Sequence, residues 1–343
     1  MAVREGDPSA MTARHRAAVI AGIGAWLPPD VVTNHDLSAR MDTSDAWIRQ
    51  RTGIRQRHIA ARGTAASDLA VEAGRRALES AGERSIDAVV LTTTTPDRPC
   101  PATAPVVAAR LGLEGVPAFD VAAVCTGFLY ALAASAGLIA TGTAERVLVI
   151  ATEVYSAIVD PDDRGTAVVF GDGAGAVVLR GGAPEEWGAL GPFALGSDGG
   201  HEELIQVPAG GSRQRKSGAP PGPGEEFFTM RGKEVFRHAV LRMTTACEEA
   251  TRAAGWEPGR VDRLAAHQAN ARILAGVSER LGLAGDQPLT NIEQVGNIGA
   301  ASLPVLLAHS TERGELKPGH HLLLTAFGGG LTWGATTLIW PEL

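Results

Sequence analysis

The chain has 343 residues, 45% hydrophobic and 20% charged, a length that allows one large domain or two ordinary ones with a substantial core. Its formal net charge of −7 at pH 7 argues against a nucleic-acid partner, which would need a basic face. Three cysteines, Cys100, Cys125 and Cys247, are too few and too widely spaced for a disulfide framework, and no Cys-x-x-Cys pair indicates a zinc site. We therefore expect a cytoplasmic protein without a structural metal.

The N-terminal segment has some features of a signal peptide, because a short basic stretch precedes the apolar run Ala17–Leu27. That run, however, contains Gly22 and Gly24 and leads into Pro28 without a small-residue cleavage site. We therefore predict a loose tail over residues 1–15, followed by a first buried strand. Since no apolar run reaches the roughly 20 residues that span a bilayer, no membrane association is expected.

Helical and strand-like patterns alternate along the following part of the chain. Helical periodicity predicts helices, and short apolar runs predict buried strands. In chain order these are a helix over Ser67–Ala81, a strand over Ile86–Thr94, a helix over Thr103–Leu111, a strand over Pro117–Val124, a helix over Gly127–Ala140 and a strand over Arg146–Glu153. Such alternation is typical of an α/β protein.

The second half of the sequence repeats this order. Residues 77–93 and 250–268 both read as a helix, an Ala-Gly end, a short loop and a strand, and residues 142–153 resemble residues 316–327. Corresponding residues lie 173 to 175 positions apart. A constant offset indicates an internal duplication, although any two βα units share some likeness. The Gly- and Pro-rich stretch 208–224 is predicted to be a connecting loop.

The duplication divides the chain into an N-terminal half over 16–182 and a C-terminal half over 183–343, packed intimately as one unit. The offset places Cys125 opposite Gly299, close to Asn297. A pseudo-twofold axis would therefore bring these two turns to one central site.

Cys125 is the candidate nucleophile. An apolar strand runs up to it and Gly127 then opens a helix, so its sulfur should lie at a helix N-terminus, where the macrodipole favours a thiolate. A thiolate is the group that accepts an acyl unit. The alternative is an inert buried cysteine. Cys247, in the middle of a helical pattern, is expected to serve only packing.

His267 and Asn297 are candidate partners of that nucleophile. An apolar strand ends at His267, and Asn270 is then the expected N-cap of a helix. The carboxyl ends of strands are where α/β sheets build their sites. Asn297 lies between two glycines, ahead of an apolar helix. A satisfied buried histidine and an ordinary turn asparagine are the structural alternatives.

Seven segments stand out between about Val19 and Ile339: MDTSDAWIRQRTGIRQRHIA, FDVAAVCTGFLYAL, DRGTAVVFGDGAGAVVL, GKEVFRHAV, HQANARI, GNIGAAS and AFGGGLTWG. In their order and spacing they resemble the β-ketoacyl-acyl-carrier-protein synthase III family of the thiolase superfamily. The resemblance implies a homodimer with a five-layered αβαβα fold and a catalytic triad of Cys125, His267 and Asn297. Thiolases carry a second catalytic cysteine near the C-terminus, and none follows Cys247; elongating ketosynthases have a histidine where Asn297 stands.

The resemblance also implies a mechanism. Cys125 would take an acyl group from acyl-CoA, with the N–H groups of Cys125 and Gly329 forming the oxyanion hole. Malonyl-acyl-carrier protein would then lose CO₂, and His267 and Asn297 would stabilise the resulting enolate before it attacks the acyl-cysteine. No metal or redox cofactor is implied. An acyltransferase that passes the acyl group to another nucleophile, or a non-catalytic partner subunit, are the alternatives.

Substrate-binding residues follow from the same resemblance. Arg272 would face the acyl carrier protein, and Cys100 and Phe327 would line the acyl pocket, Cys100 across the dimer. The CoA channel would use Trp47, Arg51, Arg164, Gly232, Phe236, Ala269 and Asn270. Cys100, where relatives often have Phe, predicts a roomier pocket and makes a priming synthase of secondary metabolism an alternative within the class.

Overall fold

The computed structural model describes residues 16–83, 85–257 and 259–343, and the tail predicted over residues 1–15 lies outside them. The strands are β1 Ala17–Trp26, β2 Val31–Thr33, β3 Gln56–His58, β4 Ala88–Thr92, β5 Ala118–Val121, β6 Arg146–Val154, β7 Asp172–Gly182, β8 Phe193–Ser197, β9 Ile205–Gln206, β10 Thr229–Met230, β11 Arg263–Ala266, β12 His321–Gly328 and β13 Thr332–Ile339. The helices are α1 Asn34–Ser38, α2 Asp45–Thr52, α3 Ala66–Ala81, α4 Ala104–Arg110, α5 Gly127–Ala140, α6 Ser212–Ser217, α7 Gly232–Ala253, α8 Ala271–Arg280, α9 Ile292–Val295 and α10 Ser302–Glu312. Among the described helices, none combines the length and the apolar character needed to cross a membrane.

The two larger sheets share one topology. The first sheet has the order β1-β7-β6-β4-β5 and the second has the order β8-β13-β12-β11. In each sheet the first three strands of that order pair antiparallel and the next pair is parallel. The first sheet differs only in its additional edge strand, β5. This shared topology confirms the predicted duplication.

Equivalent side chains also perform equivalent tasks in the two halves. The Asp87 N–H donates to the Arg146 carbonyl, and the Asp87 carboxylate accepts from the Arg146 N–H at 2.8 Å. Asp262 makes the same pair of bonds with His321, again with a carboxylate contact of 2.8 Å. Asp262 follows Asp87 by 175 residues, and His321 follows Arg146 by the same number. Each aspartate thus fixes the start of the strand that follows in its half.

The helices form three layers around the two sheets. α3 packs on the outer face of the first sheet and α7 on the outer face of the second. α5 and α10 lie between the sheets, and each contacts strands of both. A helix covered on two sides must be apolar nearly all round, as the α5 sequence GFLYALAASAGLIA is. The five layers αβαβα are therefore confirmed, with the largest hydrophobic core around the two central helices.

The predicted connector over residues 208–224 is more ordered than expected, because it contains the short helix α6. None of the α6 residues is buried. A helix without an apolar face gives no periodic signal in the sequence, which is why it was missed. β7 ends at Gly182, and the division of the chain into halves at that point stays a prediction.

Candidate active site

Cys125 lies in a single 3₁₀ turn, residues 124–126, that leads directly into α5. Val124 before it has a φ of 46°, the left-handed region that a β-branched residue rarely adopts. The backbone of Gly328 passes so close that a Cβ there would stand 2.8 Å from the Cys125 nitrogen. The Thr126 hydroxyl donates to the Thr332 carbonyl at 3.2 Å. The nucleophile turn is thus held against the loop that joins β12 and β13.

The Cys125 thiol is protonated in the free protein. Only 7% of the residue is exposed. Burial, and then the nearby Glu153 carboxylate, raise the pKa of Cys125 to about 12, although the Tyr155 hydroxyl acts in the opposite direction. The expectation that the helix N-terminus favours a thiolate is therefore wrong for the resting state, because desolvation of the charged form is the larger effect.

His267 follows directly after β11, as its sequence position predicted. Its N–H donates to the Thr325 carbonyl at 2.8 Å, and its Nδ1 lies 2.6 Å from the Ser302 hydroxyl. Ser302 Oγ also accepts from the Gln268 N–H at 3.2 Å, and its own hydrogen can be donated to Nδ1, in which case the ring proton is on Nε2. Burial lowers the pKa of His267 to about 4. His267 is therefore a neutral hydrogen-bond donor at pH 7.

The Asn297 side chain has a fixed orientation. Its Oδ1 accepts from the Gly299 N–H at 3.0 Å, and its Nδ2 faces the Ala269 carbonyl at 3.4 Å. The Asn297 N–H donates to the Val169 carbonyl at 3.0 Å. With the oxygen engaged by its own turn, the carboxamide presents the NH₂ group to its surroundings. Asn297 is a rigidly held donor rather than a free turn residue.

A cleft of about 590 Å³ has Asn297 among its lining residues. Three cations, Arg51, Lys233 and Arg272, are among its lining residues. The residues predicted for the CoA channel that line it are Trp47, Arg51, Gly232, Phe236, Ala269 and Asn270, and the predicted carrier contact Arg272 lines it as well. The structure thus brings these predicted residues together around one opening.

Arg164 belongs to the same opening through Trp47. The guanidinium groups of Arg51 and Arg164 each lie 4.7 Å from the centre of the Trp47 ring. Asn270 caps α8 as predicted, with its side chain accepting from the Arg272 N–H at 2.8 Å, and its Nδ2 donates to the Arg51 carbonyl at 3.0 Å. An aromatic face flanked by two guanidinium groups suits a planar base and phosphates.

The predicted oxyanion-hole groups lie on two loops that hydrogen-bond to each other. The Thr332 hydroxyl donates to the Ala123 carbonyl at 3.2 Å, which ties the loop carrying Gly329 to the nucleophile turn. The backbone N–H groups of Cys125 and Gly329 therefore belong to two segments that are held together, and their role as an oxyanion hole stays a prediction.

The two residues predicted for the acyl pocket differ in exposure. Phe327 is buried on β12, in the core cluster that also contains Tyr155 and Phe170. Cys100 is exposed on the loop before α4. Its predicted role involves a second subunit, so the placement of Cys100 in an acyl pocket stays a prediction.

Comparisons with known proteins agree with this geometry. The family model described as 3-oxoacyl-[acyl-carrier-protein] synthase III matches residues 119–199, and the model of its C-terminal part matches residues 251–340. The β-ketoacyl-[acyl-carrier-protein] synthase III 3 of Streptomyces coelicolor is 57% identical over 330 residues, which cover 96% of this chain and 98% of the relative. The chain belongs to the 3-oxoacyl-[acyl-carrier-protein] synthase III family.

Solved structures of similar proteins extend the comparison. The 3-oxoacyl-(acyl carrier protein) synthase III of Pseudomonas aeruginosa PAO1 superposes with a TM-score of 0.90 at 48% identity, covering 96% of this chain and 99% of that one. The priming β-ketosynthase of the R1128 polyketide pathway has a TM-score of 0.89 at 32% identity, covering 98% and 99%. The predicted family, fold and class of enzyme, a condensing acyltransferase, are confirmed.

Two buried residues of this synthase were not identified from the sequence. Glu153 lies in β6 and Tyr155 just beyond it, and both are fully buried. The Tyr155 hydroxyl is 3.8 Å from Cys125 Sγ, and its ring stacks on Phe170 with centroids 4.6 Å apart. An acidic residue in the apolar run VLVIATEV was the available signal, but the end of a strand is also where a solvated glutamate is ordinary.

Proposed function

We propose that this protein starts acyl chains by joining an acyl-CoA starter to malonyl-acyl-carrier protein through an acyl-Cys125 intermediate. The observation that carries the proposal is the meeting of two turns at the central helices. The nucleophile turn 124–126 packs against the turn 299–301, and Asn297 just before the latter lines the cleft. A nucleophile turn packed beside a fixed donor that lines a cation-lined cleft suits transfer from a phosphate-bearing thioester.

In the first step Cys125 attacks the thioester carbonyl of acyl-CoA. A bond forms between Sγ and the carbonyl carbon, the bond from that carbon to the CoA sulfur breaks, and the thiol proton leaves with CoA. The negative charge that develops on the carbonyl oxygen would be stabilised by the N–H groups of Cys125 and Gly329. Fixed donors of this kind act without reorganisation during the reaction.

In the second step a malonyl thioester takes the place of CoA in the cleft. Its carboxylate leaves as CO₂, and the electron pair of the broken C–C bond forms an enolate. His267 Nε2–H and Asn297 Nδ2–H would donate to the enolate oxygen, a role that suits a neutral histidine and an oriented carboxamide. The enolate carbon then attacks the acyl-Cys125 carbonyl, the bond to Sγ breaks, and the thiolate takes a proton from solvent.

This sequence needs no metal or redox cofactor, since the departing CO₂ supplies the carbanion. Binding of the CoA adenine and phosphates falls to Trp47, Arg51 and Arg164, and Arg272 would contact the acidic carrier protein. The cation-lined opening of the cleft supports both assignments.

We also propose a cytoplasmic homodimer. β5 ends the first sheet, so the edge of this strand has no neighbour in the described chain. Phe119 on β5 and Val106 on α4 are exposed apolar side chains beside that edge. An apolar unpaired strand edge is normally covered by a partner, and a second copy of the chain can supply the same edge. The three cysteines are unpaired, which suits a reducing compartment.

The acyl-enzyme is tested by the intact mass of the protein after incubation with a panel of acyl-CoAs. We expect an adduct of one acyl group that disappears in Cys125→Ala and persists in Cys247→Ala, since Cys247 is buried in α7. An adduct that survives in Cys125→Ala would contradict the assignment. Release of CO₂ from malonyl-acyl-carrier protein then separates condensation from transfer to another nucleophile.

A further inference from the structure

Glu153 is a buried acid that the mechanism above does not use. Its exposed fraction is 0%, and no ion pair in the described part of the chain involves it. Burial of a carboxylate without a cation is costly. Such a group in a site that performs proton and charge transfer is a candidate for a functional role.

The Glu153 carboxyl joins two parts of the site, the segment after β4 and the turn after Asn297, by hydrogen bonds. It accepts from the Thr94 N–H at 2.9 Å and from the Thr94 hydroxyl at 3.1 Å, just beyond the end of β4. The Thr95 hydroxyl is 3.4 Å away. On the opposite side, the Ala300 N–H donates to Oε1 at 3.4 Å, within the turn that follows Asn297.

Close packing makes this connection to the turn specific. A Cβ on Gly299 would stand 2.5 Å from the Tyr155 ring and 3.0 Å from Glu153 Oε1. Tyr155 in turn places its hydroxyl 3.8 Å from Cys125 Sγ. Glu153 and Tyr155 therefore both pack against the turn that follows Asn297, and Tyr155 also contacts the nucleophile.

We propose that Glu153 is a positioning residue of this active site, which holds the Asn297 turn against the end of β4 and, once it is ionised, opposes formation of the Cys125 thiolate. The proposal rests on the proposed function in one respect, the identity of Cys125 as the nucleophile. A protonated resting thiol is protected from adventitious alkylation, and a thiolate formed from a weakly acidic thiol is intrinsically the stronger nucleophile.

Ionisation of Glu153 affects the ionisable groups with which it interacts electrostatically, and a pH experiment therefore reports on them. Among the described residues these groups include Cys125 and Tyr155. Asp172 on the adjacent strand β7 bonds instead to Ser156 and to the Ala60 N–H. Burial raises the pKa of Glu153 to about 8, so its charge changes within the range in which thiol reactivity is measured.

The test is the rate of alkylation of Cys125 by iodoacetamide in the full chain between pH 6 and pH 10, quantified on the peptide that contains Cys125. In the wild-type protein the rate should rise with pH and flatten near pH 8, because ionisation of Glu153 opposes formation of the thiolate. Glu153→Gln should remove that bend and raise the rate at pH 10, where Glu153 is ionised, by about tenfold, the effect of a thiol pKa lower by one unit.

Two variants separate charge from structure. Glu153→Asp keeps the charge and should keep the bend, whereas Asp172→Asn removes a buried charge that bonds elsewhere and should keep it too. A wild-type profile without a bend, or a Glu153→Gln rate equal to that of the wild type at pH 10, would overturn the proposal. If Glu153→Gln fails to fold, the wild-type and Glu153→Asp profiles decide. Alkylation needs no acyl transfer, so the result stands apart from the acyl-CoA experiment.

Discussion

The turns that lead into α5 and α10 have similar backbones and different chemistry. The 3₁₀ turns begin at residues 124 and 299, and the helices begin at Gly127 and Ser302, in both cases 175 residues apart. The first residues of the turns, Val124 and Gly299, have φ values of 46° and 53°. Cys125 is therefore equivalent to Ala300, one residue beyond the partner that the offsets in the sequence suggested.

The two turns share a backbone conformation but differ in the residue at the left-handed position and in where the functional side chain stands. Gly299 adopts the left-handed conformation without steric cost, whereas Val124 is strained there by on the order of 1–3 kcal/mol. In the C-terminal half the polar group of the site, Asn297, comes before the turn, and in the N-terminal half Cys125 is inside it. The same turn conformation is thus associated with a nucleophile in the N-terminal half and with an amide donor in the C-terminal half.

The largest effect that tests this division of labour concerns the second half-reaction. His267→Ala and Asn297→Ala should lower the rate of condensation with malonyl-acyl-carrier protein by about 10²–10³, the usual result of removing one donor to a developing oxyanion. Both variants should still accept an acyl group on Cys125, as measured by intact mass. Since their hydrogen bonds serve the enolate, loss of acylation together with unchanged malonyl decarboxylation would refute the assigned roles.

A smaller effect tests the packing of the second turn. Gly299→Ala should lower the free energy of unfolding by about 2–4 kcal/mol, because a Cβ adds overpacking against Tyr155 to the strain of the left-handed conformation. Urea denaturation measures the change.

Gly82→Ala is the matched control for that substitution. Gly82 ends α3 with a φ of 62°, and nothing lies within 4 Å of a Cβ placed there. This variant should lose only about 1 kcal/mol, the conformational cost alone. An equal loss of unfolding free energy in the two variants would show that Tyr155 and Glu153 can move to accommodate the added methyl group. That result would contradict the close packing described above.

Much of the fold was predictable because its elements are strongly patterned. α5 spans Gly127–Ala140 as predicted, and the strand predicted over Arg146–Glu153 extends by one residue to Val154. The strand predicted over Pro117–Val124 was too long, since β5 ends at Val121. Residues beyond it form the bend and the 3₁₀ turn that carry Cys125, and an apolar run does not distinguish a strand from such a turn.

The site was predictable in its composition but not in its electrostatics. Cys125, His267 and Asn297 each follow a strand or a glycine and stand out in the sequence. The charge of Glu153, the Tyr155 hydroxyl and the burial of the thiol depend on contacts between segments far apart in the chain. The resting state of Cys125 was therefore predicted with the wrong sign, because the helix N-terminus is visible in a sequence and desolvation is not.

The smallest expected effect is a change in substrate preference, and it concerns a region that the C-terminal half lacks. This region consists of the edge strand β5 and the loop before α4, which carries Cys100. If two chains pair along this edge, the family resemblance implies that the exposed Cys100 side chain enters the partner's acyl pocket. Cys100→Phe should then shorten that pocket and shift the ratio of kcat/KM values from C6–C8 acyl-CoA toward acetyl-CoA by about tenfold or more, since each buried CH₂ contributes roughly 0.8 kcal/mol. Steady-state kinetics with both substrates measures the ratio, and Cys100→Ser, which keeps the size, is the control. An unchanged ratio in Cys100→Phe would mean that residue 100 does not line the pocket.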